Sequence, residues 1–544
     1  MQMANLPTDI QRLILDAAAG GAPATPTLWK ARLRLLAVCR VWRELAAPLV
    51  YKYAYIHSHL PGDDGHSVLI YNAARLPTLT CAVATNMDLV QAVRCGRHVR
   101  VMEIELMHPA ELYGYLTTTL ELLARTGAEW ARVSTLMLRL FPGAASSTTP
   151  SAQALACGRA MARLLPGVRA LTVAGCSGDG QVTRVLGSVA THYAAQLAKL
   201  HGNVPVALAV PELSPELTHL RLNLDGLPQR LPRINGRALR SLSLYGISSG
   251  FSWACFGDAQ APATVNFASL GTIDIAYGTC FYGDDDDGDD GDNDHGNRST
   301  GDALRCGASH TGLEILLPQL RKLRIVGCPP NCTLLEAGVF PEYLAQARIY
   351  GSSSALALIS RSRLRHVGRL DVNIQTLDMA SGSGDFYAQS NRVFGQRGPA
   401  SSSFLYIGRQ VPVNPAMVEW ARLERLLVMS PLSAAALLAL IARLPGVVSL
   451  VSFRTLLVDV PGACAADAAR LAKAGSRIER LGVIYDSVGA AEDAELLLGH
   501  LLLGNMRLRS LTLPVAHMDV AQSLVEQHRQ AAPHIATVSL RPHL

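Results

Sequence analysis

One pattern recurs along this chain and restricts the folds open to it. Aliphatic residues return at L-x-x-L-x-L spacing in residues 99–106, 136–140, 168–173, 217–224, 239–244, 320–325, 423–428, 478–484 and 508–513. Alternation of this kind predicts short strands with one buried side. Helical stretches separate the later ones. Residues 434–444 have Ser433 as N-cap and Leu437, Leu440, Ile441 and Leu444 at core spacing. Stretches 464–474 and 490–503 end at Gly475 and Gly504, and 518–531 closes the set. Strand starts near 423, 447, 478, 508 and 535 lie 24 to 31 residues apart, which is one strand plus one helix per unit. A β-α unit of that size has an apolar side it cannot bury alone. Parallel stacking buries a continuous core, with the strands lining a concave surface. The expected fold is therefore α/β, an irregular solenoid or horseshoe over residues 98–544.

Composition agrees with a long core. Hydrophobic residues make up 49 % of 544 and charged residues 17 %. Apolar runs such as 434–442 fall far short of the roughly 20 residues that span a bilayer, so no membrane partner is expected. Asp9 and Arg12 stand where a secretory signal would be apolar. Together with eleven cysteines, an odd number, this points to reduced thiols and a cytoplasmic or nuclear location. The net charge of +6 hides an asymmetry, because residues 284–294 hold eight aspartates and no basic residue. Only five of the 49 basic residues are lysines. The arginines are scattered in sequence and aromatics reach only 6 %, so a nucleic-acid partner is not expected either.

Residues between the template leucines point away from the core. His219, Arg221, Asn223, Arg240, Ser243, Lys322 and Arg324 are the candidate substrate-binding positions of the concave face. A mixed polar row of this kind reads as a surface for a protein partner. Two segments interrupt the array. Residues 282–309 are too polar and acidic to bury apolar area and are expected to be disordered. Residues 382–403 are Gly/Ser-rich and expected to form an exposed loop.

The first 57 residues follow another rule. Ile10, Leu13, Ile14 and Ala17 sit at helical spacing behind Leu6-Pro7-Thr8-Asp9. A Gly/Ala/Pro/Thr link over 20–27 leads to a second stretch carrying Leu33, Leu36, Ala37 and Val41. Then come Val38-Cys39-Arg40-Val41-Trp42-Arg43-Glu44-Leu45-Ala46 and Pro48-Leu49-Val50-Tyr51. This segment resembles an F-box, a short three-helix module, and the repeats behind it resemble those of F-box proteins of the leucine-rich-repeat class. Residues 58–97 would connect the two. The link over 20–27 is longer than the family's pattern, and the repeats lack its regular Asn or Cys positions.

The resemblance implies a substrate-recognition subunit of an SCF-type cullin–RING ubiquitin ligase. Leu6, Pro7, Ile10, Ile14, Leu36, Val38 and Trp42 would dock the adaptor subunit and through it the cullin, and the repeats would hold a protein substrate. Pro7 and Leu6 suit direct contact, whereas Trp42 and Ile14 suit the interior of the helices. Such a chain is not an enzyme and needs no cofactor; it works by positioning. The alternative is a leucine-rich-repeat scaffold unconnected to ubiquitination, whose N-terminal helices only cap the stack. In that case Pro7 would be packed on the first repeats.

Other patterns fall short of a site. Gly246-Ile247-Ser248-Ser249-Gly250 has G-x-S-x-G spacing after a strand, but no helical start and no oxyanion loop accompany it. Gly178-Asp179-Gly180 is followed by Thr183 where a dinucleotide loop needs glycine. Cys328 and Cys332 have no second pair at zinc spacing. From Asp290, a calcium loop would fit Asp292 and Asp294 but meets His295 and Gly301 where Gly and Glu are required. His57, His59, Asp63, Asp64 and His66 are close in sequence around a Leu60-Pro61-Gly62 turn and read as surface.

Overall fold

The leucine template has a direct structural cause. Leu239, Leu242 and Leu244 are buried, as are Leu320, Leu323 and Ile325, Leu423, Leu426 and Val428, Ile478, Leu481 and Val483, and Leu508, Leu511 and Leu513. The first residue of each triplet lies two residues before the strand. The other two occupy alternate strand positions facing the helices. Each such side chain contributes about 2 kcal/mol by leaving water. The computed structural model describes residues 7–19, 34–59, 68–69, 82–85, 96–107, 109–125, 130–141, 151–175, 180–203, 213–224, 231, 233–248, 251–257, 263–278, 313–378, 383–396, 398–457, 477–485, 491–504, 507–530 and 533–543. The acidic run 284–294 and the expected helix 464–474 lie outside them.

The chain divides into two compact units, residues 1–243 with 252–261 and residues 244–251 with 262–544. In the first, strands Tyr53–His59, Val101–Met107, Thr135–Phe141, Ala170–Gly175, Lys199–Asn203 and His219–Asn223 pair in parallel, each with the next in sequence. Helices Pro109–Arg125, Ser151–Leu164 and Gly180–Tyr193 alternate with them. The ladder continues into the turns. Arg100 N donates to Lys52 O, Ser134 N to Arg100 O, Arg169 N to Ser134 O, Ala198 N to Arg169 O, Thr218 N to Ala198 O and Arg240 N to Thr218 O, all at 2.7–2.9 Å. One repeat therefore templates the backbone of the next. Tyr53–His59 also pairs antiparallel with Ala82–Thr85. The strand stack thus begins inside the segment expected to be F-box and linker, not at residue 98.

The second unit repeats the scheme over strands Thr272–Tyr277, Lys322–Cys328, Tyr343–Ser352, His366–Thr376, Ala400–Ile407, Arg425–Val428, Ser449–Leu456, Arg480–Tyr485, Ser510–Pro514 and Ser539–His543, again parallel and in sequence order. Helix Ala434–Arg443 starts as expected, with the Ser433 hydroxyl accepting from Ala436 N at 3.1 Å. Helices Ala491–Gly504 and Met518–His528 also occupy the expected stretches. The presumed loop 382–403 is a correction. It forms helix Ser383–Phe394 and begins strand Ala400–Ile407, because Phe386, Tyr387, Val393 and Phe394 are buried at helical spacing within the Gly/Ser-rich sequence. Trp420 Nε1 donates to Ser390 Oγ at 3.0 Å and locks that helix in place.

Two of the turns share the sequence Leu-Pro-Gly-Val, at 165–168 and 444–447. A Cβ on Gly167 would meet Ala131 O at 2.0 Å, and one on Gly446 would meet Ala421 O at 2.5 Å. Only glycine lets the backbone pass that close to the turn before it.

At the N-terminus, helices Thr8–Ala19 and Arg40–Val50 pack together. Among the described residues a complete three-helix module is not seen, and residues 20–33 lie outside them. Between the two helices only Arg34 and Leu35 are helical among the described residues. Cys39 Sγ accepts from Trp42 N and caps the second helix, and Arg43 Nε holds the preceding turn through Leu36 O at 3.0 Å.

Candidate protein-interaction surfaces

Helix packing sorts the N-terminal apolar residues into two sets. Leu15, Trp42 and Ala46 are buried, with Trp42 only 7 % exposed, so Trp42 packs in the interior of the helices. Pro7 is exposed, Ile10 is 43 % exposed, Val38 59 % and Val41 50 %. Ile14 and Leu36 are half-buried, and Leu6 lies outside the described residues. Val38 is outside because it precedes the Cys39 cap, where the chain has not yet entered the helix. Val41, aligned in sequence with Leu33, Leu36 and Ala37, is thus exposed at the start of the second helix.

On the first unit's sheet, the side away from the helices holds the predicted residues His219, Arg221, Asn223, Arg240 and Ser243. Register sets Lys199 beside His219, His201 beside Arg221 and Asn203 beside Asn223. The imidazole of His219 is pulled below its ordinary pKa by burial, then by Lys199 and Arg240. Burial and Arg221 do the same to His201. Lys199 and His201 escaped the sequence reading because their strand has Gly202 at a template position. A Cβ there would meet Val173 at 2.9 Å. Farther along the same face Arg139 Nε lies 3.2 Å from Glu103 and its Nη1 3.7 Å from Glu105.

The second unit's face holds Lys322, exposed, and Arg324, whose Nη1 reaches Asp274 Oδ2 at 3.5 Å. Tyr245 donates to the same oxygen at 3.0 Å. The centre of this face is Asp371, which the sequence reading missed. Its side chain is 9 % exposed. Arg369 Nε bonds both of its oxygens at 3.0 and 3.1 Å, Arg348 Nε is 3.3 Å away and Arg425 Nη2 3.7 Å. Arg324 lies over the Tyr350 ring and Arg425 over the Phe404 ring, at 6.0 and 5.3 Å. Arginines scattered in sequence are thus gathered by register. The signal was present as alternation in Leu344-x-x-Ala347-x-Ile349 and Leu370-x-Val372-x-Ile374, with alanine in one template position.

Ser248 is exposed after Gly246, whose φ is +68°, and its carbonyl closes a turn with Phe251 N. Cys328 and Cys332 are buried thiols, and Tyr277 Oη lies 3.3 Å from Cys332 Sγ. The His57-to-His66 cluster and the Asp290 segment have their side chains outside the described residues. A groove of about 860 Å³ beside helix Ser383–Phe394 is lined by Ser360, Asn391, Arg392, Glu419 and Arg443. Its Asn391 and Arg443 are occupied in holding the backbone at Met417, Glu419 and Ala416. Among the described residues no helix is long and apolar enough to cross a membrane.

No protein-family model and no curated protein matches the chain. A solved structure, that of the Rad7 and Elc1 complex in yeast, aligns over 79 % of this chain and 74 % of that chain at 8 % identity and a TM-score of 0.20. A superposition that loose supports no conclusion on fold, partner or activity. What the chain does is read from its own residues.

Proposed function

We propose that this chain is a non-catalytic receptor, the substrate-recognition subunit of an SCF-type cullin–RING ubiquitin ligase. Its N-terminal helices dock the adaptor, and the open sheet faces hold a protein substrate. The observation carrying this reading is the sorting of the helical residues. Leu15, Trp42 and Ala46 are spent on internal packing, while Pro7, Ile10, Val38 and Val41 keep apolar surface in water. Several exposed apolar residues gathered on two short helices suit a partner that covers them. Helices serving only as a cap would turn Pro7 and Ile10 onto the repeats. The role is positional: the receptor raises the local concentration of its substrate beside a loaded ubiquitin carrier, in the cytoplasm or nucleus.

The test is co-purification with the adaptor subunit. Wild-type protein is expected to capture it. The Ile10→Asp/Val38→Asp variant is expected to lose capture with an unchanged circular-dichroism spectrum, since neither side chain is in the core. Failure of the intact protein to bind the adaptor would overturn the reading.

A further inference from the structure

We infer that the open face of the second unit's sheet binds an extended, carboxylate-rich protein segment laid across its strands. Register aligns Asp274, Arg324, Arg348 and Asp371 on four successive strands, continues through Phe404 to Arg425, and after Ser449 reaches Arg480. Lys322 and Arg369 belong to the neighbouring row, paired on either side of Gln346.

Charge on this face does not balance. Asp371 has one negative charge and three arginines around it at 3.0–3.7 Å. Asp274 serves Arg324, and Glu424 receives the Ser402 hydroxyl at 2.6 Å. Glu479, beside Arg480 in sequence, stands 3.9 Å from Arg509, so four carboxylates stand among seven cations. The side chains of Arg324, Arg348, Arg369 and Arg425 are 37–43 % exposed, so they are open to a ligand yet partly stripped of water. Like charges held this way are relieved by an incoming anion. The stacking on Tyr350 and Phe404 fixes two of the guanidinium groups in advance, which lowers the ordering cost of binding.

Spacing gives the size of the occupant. Strands lie about 4.8 Å apart, so the six steps from Arg324 to Arg480 span about 29 Å. An extended chain rising about 3.3 Å per residue covers that distance with about nine residues. A nucleic-acid backbone suits the face poorly, because it would lay phosphate over Asp371 and Asp274 as well as over the arginines. A peptide places acidic residues over the arginines and neutral ones over the carboxylates.

This deepens the receptor reading and rests on it only in calling the occupant a substrate. Binding is measured on the chain alone, so failed adaptor capture and failed peptide binding are separate results. The probe is a fluorescent peptide of about twelve alternating glutamate and serine residues, titrated against the full chain by anisotropy. Saturable binding that weakens with added salt is expected. Lys322→Glu with Arg480→Glu is expected to weaken it by about tenfold, a loss of about 1.4 kcal/mol. Both residues are exposed, so the fold is kept. Arg361→Glu, an exposed change on helix Ser354–Arg361, is expected to leave the affinity unchanged. Three results would overturn the inference: equal binding of a glutamine–serine peptide, equal loss in the Arg361 control, or tighter binding of a single-stranded oligonucleotide of the same charge.

Discussion

On the first unit's open face one arginine serves two carboxylates, and on the second unit's one carboxylate serves three arginines. Arg139 stands 3.2 Å from Glu103 and 3.7 Å from Glu105. Asp371 stands within 3.0–3.7 Å of Arg348, Arg369 and Arg425. The backbone is the same in both, a parallel ladder whose inward positions are aliphatic. Glu103 pays for its place: burial pushes its carboxyl above the ordinary range, Glu105 adds to the push and Arg139 opposes it. The leucine template dictates only what faces the helices. Outward residues are unconstrained by the core, so neighbouring repeats of one architecture can present opposite charge problems to the solvent.

The largest expected effect tests whether that contrast is energetic. Asp371→Ala leaves three guanidinium groups facing one another around a buried hole. Their 42–43 % exposure lets solvent screen part of the repulsion. A loss of about 2–3 kcal/mol in unfolding free energy is expected from urea denaturation. Arg139→Ala, the counterpart on the first face, is expected to cost about 1 kcal/mol. If Asp371→Ala costs no more than Arg139→Ala, the two faces do not differ in substance.

Most of the framework was legible because leucine spacing is a packing rule. The strands that begin two residues after Leu217, Leu239, Leu320, Leu423 and Leu508 all lie where the pattern put them. The rule fails where a small residue stands in for leucine. Gly202 concealed the strand carrying Lys199 and His201, and Ala347 the one carrying Arg348. Composition misled at 382–403, where glycines and serines conceal the buried Phe386, Tyr387, Val393 and Phe394. The alternation marks the strands, and Arg369 lies two residues from Asp371, but the convergence of Arg348 and Arg425 on Asp371 could not be read. Its partners come from three strands, and pairing register is a tertiary property that one sequence does not state.

A middle-sized effect separates the faces by pH. His201 and His219 have lowered pKa values on the first face, whereas the second is run by arginines, which do not titrate near neutrality. Below about pH 6.5 the unfolded chain takes up protons that these folded imidazoles resist. The stability they allow at neutral pH is therefore lost as pH falls through that range. His201→Gln/His219→Gln is expected to flatten the acid slope of the urea midpoint. His98 and His500, lowered as well, keep part of it. An unchanged slope in the double variant would place the acid sensitivity elsewhere.

The smallest effect bears on the two carboxylates that share Arg139. Glu105 is the more exposed and the more distant partner, so Glu105→Gln is expected to change stability by under about 0.5 kcal/mol. Its consequence is electrostatic. Removing that charge takes away one upward push on Glu103 and leaves Arg139 to a single carboxylate, so the Glu103 pKa is expected to fall. Carboxyl carbon chemical shifts of Glu103 followed through an acid titration measure this directly. A Glu103 pKa that stays in place would mean burial alone sets it, and the sharing of one arginine between two acids would then be geometry without electrostatic consequence.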